Sequence, residues 1–152
     1  MPEIPEREKM DEPVCDSCAF GIEETIKREK ECLKEFGWYV HSVMNDPDYP
    51  YSMNIHTHGL LENFKHPDLQ ICLRISPTVA HAILSGAIEL IKAGRTFSDG
   101  EIVIGDIISG DLPVLFLKRQ ECGRDVLRII APDPTGCIDK ENIDPYYLEQ
   151  WK

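Results

Sequence analysis

The apolar positions change period several times along the chain, and each change marks an element. Residues 1–14 are rich in proline and charge, carry no period, and read as a loose acidic arm. Over 17–36, Ile22, Ile26, Leu33 and Phe36 fall near one 3.6-residue face, which predicts an amphipathic helix. Glu23/Lys27, Glu24/Arg28 and Lys27/Glu31 supply i,i+4 pairs on its outer side, and Gly37 ends it. The period then drops to two. Trp38, Val40 and Ser42 alternate with Tyr39, His41 and Val43, the pattern of a half-buried strand. A turn at Asn45–Asp48 leads to a second strand over Tyr51–His56, so 38–56 is expected to form an antiparallel hairpin.

Further on, Leu69–Ile75 reads as a third strand. Ser76-Pro77 opens a helix, with Ser as the N-cap and Pro in the first turn. Val79, Ala80, Ile83, Leu84, Ala87, Ile88 and Ile91 give that helix a broad apolar face, its small residues point to close packing, and Gly94 stops it. Three short β-runs follow at Glu101–Ile104, Val114–Lys118 and Val126–Ala131. The break Pro132–Gly136 comes next, and then a tail whose Tyr146–Trp151 segment suits a short docked helix. Only one strand–helix–strand unit suits a parallel crossover. The order therefore predicts an α+β fold: a single domain over 15–152, with a mainly antiparallel sheet and two principal helices on one face.

Composition narrows the function classes. The chain has 152 residues, 42% hydrophobic and 28% charged, which is a globular balance. Its net charge of −11 argues against general nucleic-acid or anionic-membrane binding, both of which need clustered Lys and Arg. Residues 1–36 carry 11 acidic and 6 basic residues, so the charge is heaviest on the arm and first helix. No run approaches the roughly 18 apolar residues of a membrane span, and the N-terminus lacks a signal-peptide core. A cytoplasmic location with reduced thiols is the expectation. Of the six cysteines, Cys72 reads as core, and Cys15 and Cys18 form the one CxxC, a spacing that suits a redox pair or half of a zinc site.

The sharpest chemistry lies in Tyr51-Ser-Met-Asn-Ile-His-Thr-His-Gly-Leu60 and the following His66-Pro-Asp68. In an extended chain His56 and His58 point to one side, about 6.6 Å apart at Cα, and can converge on one ion; in a helix they would diverge. The strand must run through both for this to work. His66 or Asp68 would complete a site for a divalent metal such as zinc, which activates water for hydrolysis. His41 can join across the hairpin, and with Tyr51 and Asn54 it is a candidate for lining a binding groove. The competing reading is that these histidines only shape a loop by hydrogen bonding.

Four landmarks then occur in order: Gly37-Trp-Tyr-Val, Tyr51-Ser-Met with Gly59-Leu60, His66-Pro-Asp-Leu69, and Arg128-Ile-Ile-Ala-Pro-Asp-Pro-Thr-Gly136. Over roughly Gly37 to Gly136 they resemble the bacterial family of domain of unknown function 4262, with Asp68 where that family usually has Glu. The resemblance implies a small α+β domain and no assigned activity. It marks Tyr51, His66, Pro67, Asp68, Pro132, Asp133 and Gly136 as motif positions. Three functions are in play. The first is a binding or interaction module for a protein partner. The second is a metal-dependent, hydrolase-like enzyme using the His-x-His segment. The third is a thiol redox or zinc-stabilised protein using Cys15 and Cys18.

Overall fold

The computed structural model describes residues 14–15 by their backbone, and 21–44 and 53–152 in full. The turn expected at 45–48, Tyr51, Ser52, Cys18 and nearly all of the arm lie outside the described residues. In chain order the elements are β1 (Val14–Cys15), α1 (Ile22–Phe36), β2 (Tyr39–Met44), β3 (Met53–His58), α2 (Leu60–Phe64), β4 (Asp68–Ile71), α3 (Pro77–Lys92), β5 (Ile102–Ile108), β6 (Leu112–Glu121) and β7 (Arg124–Ile130). A 3-10 helix over Pro145–Trp151 follows. The described strands form one sheet in the order β1-β2-β3-β4-β7-β6-β5. Every pairing is antiparallel except β4 with β7, whose connection carries α3 and the β5–β6 hairpin. This is the α+β architecture that the element order predicts.

The sheet has two faces of opposite character. On one, Met53, Ile55, Leu69, Ile71, Leu127, Ile129, Val114 and Phe116 pack against Ala80, Ile83, Leu84, Ala87, Ile88 and Ile91 of α3, forming the core. α3 lies close to β5 at Gly86, where an added Cβ would come within 3.4 Å of the Ile107 carbonyl, still van der Waals contact. α1 lies on the same side: a cleft of about 660 Å³ is walled by its Thr25, Glu29 and Cys32, by Val40 and Ile55 of the sheet, and by His81 and Ser85 of α3. The two principal helices thus share one face. α1 is rotated from the expected orientation, for it buries Thr25 while Ile22, Ile26, Leu33 and Phe36 stay exposed. Among the described residues, no helix is long and apolar enough to cross a membrane.

Several boundaries differ from the sequence reading. β3, described from Met53, continues two residues past its expected end through His58, because Gly59, at φ 105°, makes the turn there and not earlier. α2 escaped the pattern because five residues are too short for a helical period. β6 and β7 are longer than their apolar cores and close on Cys122-Gly123, both at positive φ (49° and 80°), as a two-residue hairpin of right-handed twist requires. The tail docks as expected. Asp144 caps the 3-10 helix by accepting from the Tyr146 N–H, and the Gln150 amide pairs with both the N–H and the C=O of Ala131 at the end of β7.

Candidate functional site

The second sheet face is polar, and strand pairing builds it. His41 lies opposite His56, Tyr39 opposite His58, and Val43 opposite Asn54. His56 lies opposite Gln70, Gln70 opposite Arg128, and Glu121 opposite Arg124. Alternation along each strand puts Asn54, His56 and His58 on this face while Met53 and Ile55 enter the core. The His-x-His pair therefore shares a face because the strand continues through it.

His41, His56 and His58 come together. Each offers one ligand atom, and the three atoms lie within 4.8 Å of one another. Ring centroids are 5.3 Å apart for His41–His56, 5.0 Å for His56–His58 and 6.2 Å for His41–His58. Tyr39 stacks on the outer side of His58 at 5.0 Å. His56, 5% exposed, has its Nδ1 3.2 Å from Asn54 Oδ1 and its Nε2 3.6 Å from Glu121 Oε1. Burial lowers the His56 pKa to about 4; Glu121 opposes this, and His58, His41 and Arg124 add to it. His58 is also lowered to about 4, by burial first and then by Arg124. Both rings are neutral at pH 7, which is the form that ligates a metal.

Arg124 closes one side of the site. Its Nε and Nη2 donate to Glu121 Oε1 at 3.2 and 3.1 Å, its Nη1 donates to Asp68 Oδ2 at 2.7 Å, and Nη2 also donates to the Thr57 carbonyl at 2.9 Å. Burial works to raise the Glu121 pKa, but the Cys122 thiol, His56 and Arg124 outweigh it and hold the carboxyl below its ordinary value. Asp68 goes the other way. Burial pushes it up despite hydrogen bonds from the Thr57 hydroxyl at 2.8 Å and the Leu60 N–H at 3.1 Å, and despite Arg124.

The remaining candidates sit elsewhere. His66 is not in the cluster: its Nε2 accepts from the Phe97 N–H at 3.0 Å and its Nδ1 donates to the Pro67 carbonyl at 2.8 Å, so neither nitrogen is left for a metal. Asp68 has both oxygens engaged and reaches the site only through Arg124. Asn54 supports His56 and does not line an open groove. Asp133 accepts from Thr135 N–H and Oγ1 and from the N–H groups of Cys137 and Asp144; these bonds lower its pKa to about 2 and fix the Pro132–Cys137 turn. Cys15 is described by its backbone alone. Among the described residues, Cys32, Cys72, Cys122 and Cys137 form no disulfide, with Cys72 buried as expected.

Sequence reasoning missed Glu121, Arg124, Gln70 and Arg128. Two signals marked them. Glu121-Cys-Gly-Arg124 is a two-residue turn flanked by β-runs, which sets Glu and Arg opposite each other. Gln70 and Arg128 are polar residues inside otherwise apolar strands, at positions in register with the histidines.

The fold and site define a class: an antiparallel-rich α+β domain with its helices on one sheet face and a three-histidine cluster on the other. The chain belongs to the family described as Domain of unknown function (DUF4262), whose model matches residues 32–137. That span contains all three histidines, Glu121 and Arg124. No curated protein and no solved structure matches the chain.

Proposed function

We propose that this domain binds one divalent transition-metal ion, zinc foremost, through His41, His56 and His58. The observation that carries the proposal is the convergence of three imidazole nitrogens within 4.8 Å from two paired strands. Tetrahedral bonds of about 2.05 Å set ligand nitrogens roughly 3.3 Å apart, a distance that small side-chain rotations reach from here. The facing of His56 Nε2 and Glu121 Oε1 supports the same reading. In the neutral ring's Nδ1–H tautomer, two lone pairs meet at 3.6 Å, an arrangement that a cation relieves. A metal held by three histidines would have a fourth position open and would supply an acidified water for hydrolytic chemistry. Glu121, held by Arg124, would be the residue to accept that proton.

The test is metal analysis and zinc titration of the untagged full chain. One equivalent bound by the native protein, and loss of binding in His56→Ala and His41→Ala with His81→Ala unaffected, supports the site. No stoichiometric binding, or binding that His56→Ala leaves intact, overturns it. The interaction-module reading draws on the exposed apolar row of α1. It calls for a protein that purifies without metal and binds none. Zinc lost in a Cys15→Ser variant and kept in His56→Ala would favour the thiol reading instead.

A further inference from the structure

An imidazole ligates through whichever nitrogen lacks a proton, so a metal site must also set the tautomer. For His56 the residues that do so lie outside the cluster. Arg128 can only donate. Its Nε donates to Gln70 Oε1 at 2.8 Å, and its Nη1 donates to the carbonyls of Gln150 and Lys152, each at 3.1 Å. Gln70 must therefore turn its oxygen toward Arg128 and its amide nitrogen toward Asn54, where Nε2 donates to Oδ1 at 3.1 Å. Asn54 in turn has its oxygen committed to this side, and the same oxygen lies 3.2 Å from His56 Nδ1. A carbonyl oxygen in that place needs a proton on Nδ1. The neutral ring then carries its lone pair on Nε2.

We infer that Arg128, Gln70 and Asn54 form an orienting relay that locks His56 as the Nδ1–H tautomer and leaves Nε2 as its ligating nitrogen. All three are positioning residues. Each is at most 2% exposed, so water is not at hand to substitute for a missing partner. Each link has one polarity, and the polarity originates at a group that cannot reverse. The relay also ties the cluster to the C-terminal 3-10 helix, whose carbonyls hold Arg128. Its purpose rests on the three-histidine reading, while its existence does not.

The experiment is long-range ¹⁵N–¹H correlation on the full chain with ¹⁵N-labelled histidine, metal-free and then zinc-loaded, for the native protein and Gln70→Glu. The new carboxylate still accepts from Arg128 but offers Asn54 a second acceptor. The Asn54 amide must then flip and present its NH2 to His56 Nδ1. The expected results are a protonated Nδ1 in the native protein, a switch to Nε2–H in Gln70→Glu, and zinc affinity lower by about 10–100-fold. A protonated Nε2 in the native protein, or an unchanged tautomer in a folded Gln70→Glu, overturns the relay.

Should Gln70→Glu fail to fold, Asn54→Asp and Asn54→Ala carry the test. The first keeps an acceptor and should keep Nδ1–H, whereas the second removes it and should lose that signature. Equal spectra for these two variants would refute the relay. A native Nδ1–H that switches in Gln70→Glu, in a protein that binds no zinc, would uphold the relay and sink the metal reading. Tight zinc binding with a tautomer indifferent to these variants would do the reverse.

Discussion

Replacing Arg124 by Leu should be the most destabilising single change on the polar face. The guanidinium is shared by two buried carboxylates, Asp68 and Glu121, and by the Thr57 carbonyl. Leucine matches much of its apolar stem and supplies none of its donors. Both carboxylates then lack their cation at side-chain exposures of 5% and 4%. Removing one partner of a buried pair costs about 3–5 kcal/mol, mostly as the burial of the orphaned charge. Asp68 keeps its bonds from Thr57 and Leu60, which places the expected loss toward the lower end. At roughly 2–4 °C per kcal/mol for a domain of this size, Tm should fall by about 6–15 °C. The sign with pH is fixed. Without the cation Asp68 rises further above its ordinary value and Glu121 climbs from below it, so protonation relieves the penalty and the gap to the native protein narrows as pH falls from 7 to 5. Urea melts at both pH values measure this. A loss under 1 kcal/mol at pH 7, or a gap that is the same at pH 5, would refute the account of Arg124 as the counter-ion of two buried carboxylates.

The metal-free protein should be acid-labile in a window set by its histidines. His56 and His58 titrate near 4 when folded and near 6.5 otherwise, so the unfolded chain takes up protons first and stability drops as pH falls from 6.5 toward 4. By pH 5 the His56 share is on the order of 2 kcal/mol, with a smaller one from the more open His58; an acid melt of His56→Gln that matches the native protein would contradict this. Gly59→Ala should cost about 2 kcal/mol or more in a urea melt, because φ is 105° and the added Cβ meets the Gly37 carbonyl at 2.6 Å. Joint replacement of Asn54, Gln70 and Arg128 by Leu, Leu and Met should change stability by less than about 2 kcal/mol in either direction while weakening zinc binding at least tenfold, measured by melts and titration together.

Much of the fold was legible because its elements obey simple periods. The α3 face and Ser76-Pro77 located that helix, and the alternation of 38–44 located β2 and placed His41 on the outward side. The helix α1 and its stop at Gly37 were legible too, but which of its faces is buried was not, for a physical reason. Its apolar row is real, but the helix packs through Thr25 and Cys32 beside a cleft, and periodicity cannot say which neighbour a face finds. At the site, the strand requirement for His56 and His58 was readable from spacing alone, whereas the third member was not. His66 is close in sequence, yet it folds back to bond Phe97, 31 residues on. His41 is farther away and becomes adjacent only through hairpin register. Glu121 and Arg124 were invisible for the same reason, since 63 and 67 residues separate them from His58 and Thr57 and only the sheet order brings them near.

The placement of polar groups argues that this face is a site and not an accident of packing. Buried amides, carboxylates and guanidinium groups seldom improve on apolar side chains of similar volume, and they demand that every partner be present. Elsewhere in the fold such groups have local duties: His66 and Asp133 each satisfy backbone at a bend, and the Gln150 amide seats the tail. The run from Arg128 through Gln70 and Asn54 to His56, and from Glu121 through Arg124 to Asp68, spans five strands and ends on three imidazoles. A sheet whose second face served only stability would be covered by apolar side chains at those positions, as its first face is. Departures from that rule concentrate where function needs fixed tautomers and fixed charges. Both ends of the run act on the same ring, Asn54 at His56 Nδ1 and Glu121 at His56 Nε2. It is this convergence on one ring, more than the count of histidines, on which the proposed ligand set rests.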